Sequence, residues 1–345
     1  MYKFFFTLLS IGFFYNVHAQ TIGGNSIFNF LKLPATPQLT GLGGINVSNI
    51  SNDLGLSFNN PALLRPSMHT QLTTDFNSMY AGIKNYHVMM GYCHPKLETN
   101  FAFGVHYIDY GSITQTDAAG NILGSFRPGD YVIQLSASRQ YLEKWFYGTT
   151  IKFINSNYGL YRSNAIAMDA GVAYYDSSLL LQASLLLKNM GVQLKKYDGT
   201  TGDDLPFDIE MGITKRLENA PIQFSITAQH LHQFDIRYND TSFNNDNGFN
   251  QSGKNDKFIA DKIFRHFVVA VQFYVGDYIE ITTAYNHLRR SELNIYNSTN
   301  GLNGFSLGLG ALFKKMQIRY ARAYYQNNTA YNQFGINLSL NEYIF

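Results

Sequence analysis

The sequence predicts an all-β protein, an antiparallel transmembrane β-barrel of about fourteen strands with an N-terminal plug. Three observations carry this. Segments of period-two alternation recur along most of the chain, the connections between them sort by parity into short and long, and an irregular apolar stretch precedes them all.

Composition favours the same class. Charged residues are 14% of the chain, where soluble domains run at about 25%. Tyr (25) and Phe (27) dwarf Trp (1), which suits a wall facing lipid with its ends at the headgroups. A single Cys excludes an internal disulfide framework, and the net charge of +2 is too small to argue for a nucleic acid or other polyanion as partner.

The chain opens with Lys3, an apolar run from Phe4 to Phe14 and then Val17-His18-Ala19. This predicts a secretory signal over residues 1–19 with Gln20 as the mature N-terminus. The run is shorter than the ~20 residues a spanning helix needs.

Residues 20–68 are expected to form the plug. Gly23 to Leu64 is rich in Gly, Asn, Ser and Pro, yet it carries Phe28, Phe30, Leu31, Leu33, Leu42, Ile45, Leu54, Leu56 and Phe58. So many apolar residues should be buried, while Gly41, Gly43, Gly44, Pro34, Pro37 and Pro61 mark turns and close backbone approaches.

Residues 69–345 are expected to form the barrel with long extracellular loops. Phe101, Phe103, Val105 and Tyr107 alternate with Ala102, Gly104 and His106; Ile166, Met168, Ala170, Val172 and Tyr174 alternate with Ala167, Asp169, Gly171 and Ala173. Ile222, Phe224, Ile226 and Ala228 oppose Gln223, Ser225, Thr227 and Gln229 in the same manner. One face is apolar and the other polar or tiny, as a barrel with a polar interior requires. With the N-terminus on the periplasmic side, the periplasmic turns would be Pro95 to Thr99, Leu142 to Lys144, Asp176 to Ser178, Glu218 to Ala220, Gly276-Asp277 and Lys314-Lys315. The outer loops would include Gly111 to Gly129, Asn155 to Ser163, Gly191 to Leu205, Asn239 to Lys262 and Arg290 to Asn303. Asn332 to Leu340 reads as a last amphipathic strand, and Phe345 ends the chain.

Little in the sequence points to catalysis, and no cofactor is expected. There is no Gly-x-Ser-x-Gly elbow, and Gly41-Leu42-Gly43-Gly44-Ile45-Asn46 fails the dinucleotide pattern at its last position. His230 and His232 would share a face on a strand, as metal ligands do; the reading preferred is polar residues near a barrel rim. Asp198, Asp203 and Asp204 in a Gly-Thr-rich loop are read as solvated carboxylates rather than calcium ligands. No metal site is expected.

The N-terminal stretch also resembles a known family. GGNSIFNFLKLP, then LTGLGGINVS, then NDLGLSFNNPALL is similar to the N-terminal signature of the PorV/PorQ family, outer-membrane proteins of the type IX secretion system whose barrel is like that of the fatty acid transporter FadL. Gly23-Gly24, Phe28, Phe30-Leu31, Leu33-Pro34, Leu42-Gly43-Gly44 and Asn60-Pro61-Ala62-Leu63-Leu64 fit the PorQ branch. Pro34-Ala35-Thr36-Pro37-Gln38 stands where the PorV branch carries an Asn-Pro-Asp-Ala-Arg-like run, so no charge-based role is expected at Gln38.

The resemblance implies an assembly role without catalysis, in the outer membrane of a Gram-negative bacterium of the Bacteroidetes kind. A PorQ-like barrel would anchor a PorZ-like surface protein of the attachment complex. With a PorU-like sortase and a PorV-like barrel, that complex joins secreted cargo to lipopolysaccharide. Plug residues Phe28, Phe30, Leu31, Leu33, Pro34, Gly43, Gly44, Asn60 and Pro61 would then be structural. Partner contacts would fall on Asp117, Asn121, Ile122, Leu123 and Phe126 in one loop and on Phe243 and Phe249 in another. The competing expectation is a FadL-like channel for uptake of hydrophobic small molecules, which would need a kinked strand at mid-membrane depth; Gly171 and Gly212 are the positions that invite one.

Overall fold

A computed structural model describes residues 26–236, 259–292, 301–326 and 329–344. The expected signal segment therefore lies outside the described residues, as do Phe243 and Phe249. Among the described residues no helix is long and apolar enough to cross a membrane.

Fourteen antiparallel strands close into one barrel. In chain order they are β1 (Gln71–Ser78), β2 (Lys84–His94), β3 (Thr99–Asp109), β6 (Gly129–Tyr141), β7 (Trp145–Tyr158), β8 (Tyr161–Asp176) and β9 (Leu181–Lys195). Then come β10 (Asp208–Arg216), β11 (Ile222–Ala228), β12 (Phe267–Val275), β13 (Ile279–Asn286), β14 (Phe305–Leu312), β15 (Met316–Gln326) and β16 (Thr329–Ser339). Each pairs with its neighbours in this order, β3 with β6 across the hairpin, and β1 pairs with β16 from Gln71↔Ser339 to Ser78↔Asn332, so the ring closes with no edge strand. Two further strands, β4 (Ile113–Thr116) and β5 (Ile122–Phe126), form a separate hairpin between β3 and β6.

The alternation fixes which way each side chain points. In β3, Phe103 and Tyr107 are exposed outward while Asn100, Ala102, His106 and Ile108 are buried inward. Outward Val88, Met90, Leu135, Ile151 and Leu309 continue the apolar band around the wall. Inward Asp75, His87, Gln134, Lys152, Asp169, Glu280 and Arg319 give a polar lumen. An apolar exterior around a polar interior, closed without an edge, is how a sheet satisfies its backbone groups in lipid.

The connections at one end are all tight: the turns after β2, β6, β8, β10, β12 and β14 fall where the sequence places them. At the other end two expectations need correction. Residues 155–163 are mostly strand: β7 runs to Tyr158, β8 starts at Tyr161, and only Gly159 (φ 74°) and Leu160 turn between them. The loop expected from Gly191 begins only after Lys195, because β9 continues to that residue.

Strand heights are unequal. β7, β8 and β9 have 14, 16 and 15 residues, whereas β10 and β11 have 9 and 7. β10 pairs with β9 only from Asp208↔Lys188 to Lys215↔Leu181. The wall is therefore notched at the long-loop end between β9 and β11.

Candidate functional site

Residues 26–68 lie within the ring of strands and are mostly buried. Phe28 takes a left-handed conformation (φ 58°) ahead of the short 3-10 turn Asn29–Lys32. Its ring packs with buried Phe30 against inward Ile108, Val132, Ile154 and Ala167, with Leu31 and Leu33 partly buried beside them. Thr36 caps the one-turn helix Pro37–Gly41 by accepting from the Leu39 amide at 3.3 Å. The carbonyl of Pro34 accepts from the Tyr331 hydroxyl at 3.4 Å.

The wall makes room for the plug with small residues. A Cβ on Gly148 would sit 2.6 Å from the Pro61 carbonyl carbon, and one on Gly171 would strike the Asn60 side chain. Gly212 would meet Ser48 Oγ at 2.7 Å. Gly171 and Gly212 are thus close-packing positions in regular strand. On the plug side Gly43 (φ 93°) and Gly44 (φ 88°) hold conformations that side-chain-bearing residues avoid. The Gly43 carbonyl accepts from Arg289 Nη2 at 2.7 Å and from Asn286 Nδ2 at 3.1 Å. Asn60 donates to the Val47 carbonyl at 2.7 Å and accepts from the Ala62 amide at 3.0 Å.

Buried charges bridge plug and wall. Asp53 pairs with Arg319 Nε at 2.9 Å, and Arg319 Nη1 lies 3.0 Å from Glu280, which also accepts from Gln38 at 3.1 Å. Phe58 stands edge-on to His87, ring centres 4.5 Å apart, and His87 Nδ1 is 2.7 Å from Asp75. Beside Phe58, between the plug and His106, Gln134, Lys152 and Lys188 of the wall, a cavity of about 30 Å³ remains, little more than one water occupies. Below it, toward the short turns, a vestibule of about 910 Å³ opens between Arg65, Phe146, Tyr175, Tyr274, Glu280 and Arg319.

One of the two register shifts between β8 and β9 is at a residue the sequence does not single out. Asp169 of β8 faces both Lys188 and Asn189 of β9, because Met168 pairs with Met190 and Ala170 with Leu187. Asn189 is the extra residue of this bulge, at φ 57°. Its amide donates to Asp169 at 2.8 Å, its Oδ1 accepts from Lys152 at 2.9 Å, and its Nδ2 donates to the Pro206 carbonyl at 2.9 Å. Lys152 Nζ is 2.6 Å from Asp169. Beyond the bulge the far edge of β9 faces the segment leading to Phe207, and the plug's first described residues reach this place: Ile27 donates to the Asp204 carbonyl at 3.0 Å.

At the rim, the β4–β5 hairpin projects with Ile122 75% and Leu123 63% exposed. Phe126 turns back, its ring 3.2 Å from where a Cβ on Gly159 would stand. Asp117 organises the hairpin turn, accepting from Ala119 and Asn121 amides at 2.9 and 2.8 Å and from Asn121 Nδ2 at 2.8 Å. The Asn121 side-chain bond, then the backbone bonds, hold the Asp117 carboxyl below its ordinary pKa. Further round the rim, burial works against the Asp261 carboxylate, but hydrogen bonds from His287 and Arg265 at 3.1 and 2.9 Å outweigh it and lower its pKa.

His230 and His232 are not on a strand, since β11 ends at Ala228. They follow it in an irregular segment, His230 at φ 54°, and both turn toward Asp208 at the start of β10. Sequence spacing brings the two histidines to notice but not the carboxylate, which arrives only through the β10–β11 pairing.

These features define a plugged antiparallel barrel of the outer-membrane kind. No protein-family profile and no curated protein matches the chain. Among solved structures it is similar to the CymD monoaromatic hydrocarbon channel, at 13% identity over 90% of this chain and 97% of that one, TM-score 0.49. It is also similar to a TodX monoaromatic hydrocarbon channel deletion mutant (11%, 89% and 97%, TM-score 0.44) and to a Pseudomonas aeruginosa FadL homologue (12%, 88% and 97%, TM-score 0.42). At these values nothing that those proteins carry transfers to this chain.

Proposed function

We propose that the chain is a closed, non-catalytic outer-membrane barrel that holds other proteins at the cell surface. In this reading it anchors the attachment complex of a type IX secretion system, with a PorZ-like surface protein as direct partner and a PorU-like sortase and a PorV-like barrel in the assembly. The carrying observation is the plugged lumen: buried ion pairs join plug and wall above the vestibule, and between Phe58 of the plug and His106 and Gln134 of the wall a cavity of only about 30 Å³ remains. A protein chain needs far more room than that. The finer placement rests on the N-terminal signature, and the exposed Ile122 and Leu123 suit a docking surface on extracellular loops.

The second reading, a channel for hydrophobic small molecules, is favoured by the notch beside the Asn189 bulge, where Val192 and Leu194 lie exposed next to a wall edge without a strand partner past Asp208. A mild-detergent pull-down from native outer membranes separates the two. Recovery of a large surface protein and a sortase-like peptidase, lost when Asp117 to Phe126 or Asn239 to Asp261 is trimmed, supports anchoring. A barrel recovered alone with apolar molecules bound supports the channel.

A further inference from the structure

We infer that Asp208, His230 and His232 form a binding site for a divalent transition-metal ion of the zinc type, set in the floor of the wall notch. Among the described residues these three bring one ligand atom each to within 4.8 Å of one another. His230 Nδ1 is 3.3 Å from Asp208 Oδ2, and His232 Nδ1 is 3.6 Å from Asp208 Oδ1. The second distance is beyond hydrogen-bond reach. The first matches neighbouring ligands around a shared ion, because metal bonds of ~2.0–2.1 Å in a tetrahedral site set ligand atoms roughly 3.3 Å apart. The second, at 3.6 Å, is longer than the first, with the other carboxylate oxygen turned to His232.

The surroundings orient this set. The His230 backbone amide donates to Asp208 Oδ1 at 2.7 Å, which fixes the carboxylate and accompanies the left-handed backbone at His230. Phe207 stands edge-on to the His232 ring at 5.2 Å and fixes its plane. The neighbouring cation Lys188 is taken up by Asn59 Oδ1 and by Glu210 Oε1 at 3.5 Å. Glu210, on the same face two residues after Asp208, keeps a buried Oε2 with no hydrogen-bond partner, an electron-rich atom facing the same lumen. Two imidazoles and one carboxylate are an N/O set that suits zinc rather than calcium or magnesium. His232 reaches solvent, so the ion can enter from the long-loop end. Bound there, it would staple the segment after β11 to the first residue of β10, where the wall is lowest.

The test uses the full chain without a histidine tag, in detergent, stripped with EDTA and titrated with Zn²⁺ against a chromophoric chelator. One equivalent per barrel is expected. The His230→Gln/His232→Gln double variant should lose that equivalent, and His94→Gln at the far end of the wall should keep it. Should the double variant fail to fold, His232→Asn alone, at a solvent-reaching position, should weaken binding at least about tenfold. Absence of stoichiometric binding to the wild-type chain, or unchanged binding in the folded His230/His232 variants, overturns the site.

Discussion

Arg319 on β15 and Asp53 in the plug form a buried ion pair, Nε to Oδ2 2.9 Å, and the same guanidinium reaches Glu280 on β13 at 3.0 Å. Arg319→Ala leaves two buried carboxylates facing each other with no cation between them. Removing one partner of such a pair costs about 3–5 kcal/mol. The folded band in semi-native gel electrophoresis should therefore convert at a clearly lower temperature in the variant. An unchanged transition would mean that the plug is held without this pair.

Gly43 and Gly276 separate backbone strain from crowding. Both have positive φ, 93° and 61°, but a Cβ at Gly43 would lie 2.5 Å from Val268 Cγ1, while one at Gly276 meets nothing within 4 Å. Gly276→Ala should cost only the backbone term, about 1 kcal/mol. Gly43→Ala adds overpacking of about 1–3 kcal/mol, and should lower the amount of folded barrel in the membrane fraction where Gly276→Ala does not.

Asn189→Ala strips the bulge of its contacts to Lys152 and Pro206 and leaves a buried ammonium with one partner fewer. A loss of about 1–3 kcal/mol follows, read as a lower thermal transition. Asn189→Gly removes the same contacts without the left-handed penalty, so it should be the milder variant. The reverse order would show that backbone conformation is not what selects this residue.

The Asp117 carboxyl has its pKa lowered in the folded hairpin. A lowered folded pKa gives stability that is fully present above the unfolded value, about 3.9, and is lost as pH falls through the folded one. Amide exchange at Ala119 and Asn121 should thus be slow and level at neutral pH and lose protection, after correction for intrinsic rates, below about pH 4. Asp117→Asn should remove the pH dependence.

Ile122→Ser with Leu123→Ser should leave the barrel's thermal transition within about 0.5 kcal/mol of wild type, as surface changes do. If the barrel anchors a surface protein as proposed, recovery of that protein in the pull-down should fall. Equal recovery would count against the hairpin as its docking surface.

The strands were legible because lipid on one side and a polar lumen on the other impose period two wherever the wall is within the membrane. Asn155 to Ser163 lies where β7 and β8 rise past that zone; with polar residues such as Asn155, Ser156 and Asn157 in succession, strand there looks like loop. The β4–β5 hairpin escaped for the same reason, since most of its residues are exposed on both faces. The bulge at Asn189 and the meeting of Asp208 with His230 and His232 depend on partners 20 or more positions away, which no local pattern encodes.

The order of events in folding follows from the seam. β1 pairs with β16, so the ring stays open until the last strand arrives. The plug is also gripped by late strands: Gln38 by Glu280, Thr40 by Gln333 at 2.5 Å and Pro34 by Tyr331. Wall glycines Gly148 and Gly171 press onto Pro61 and Asn60 of the plug, which leaves little room to thread this segment in afterwards. These contacts fit a plug laid down before the ring closes, the early chain then serving as a mandrel on which the later strands are wound.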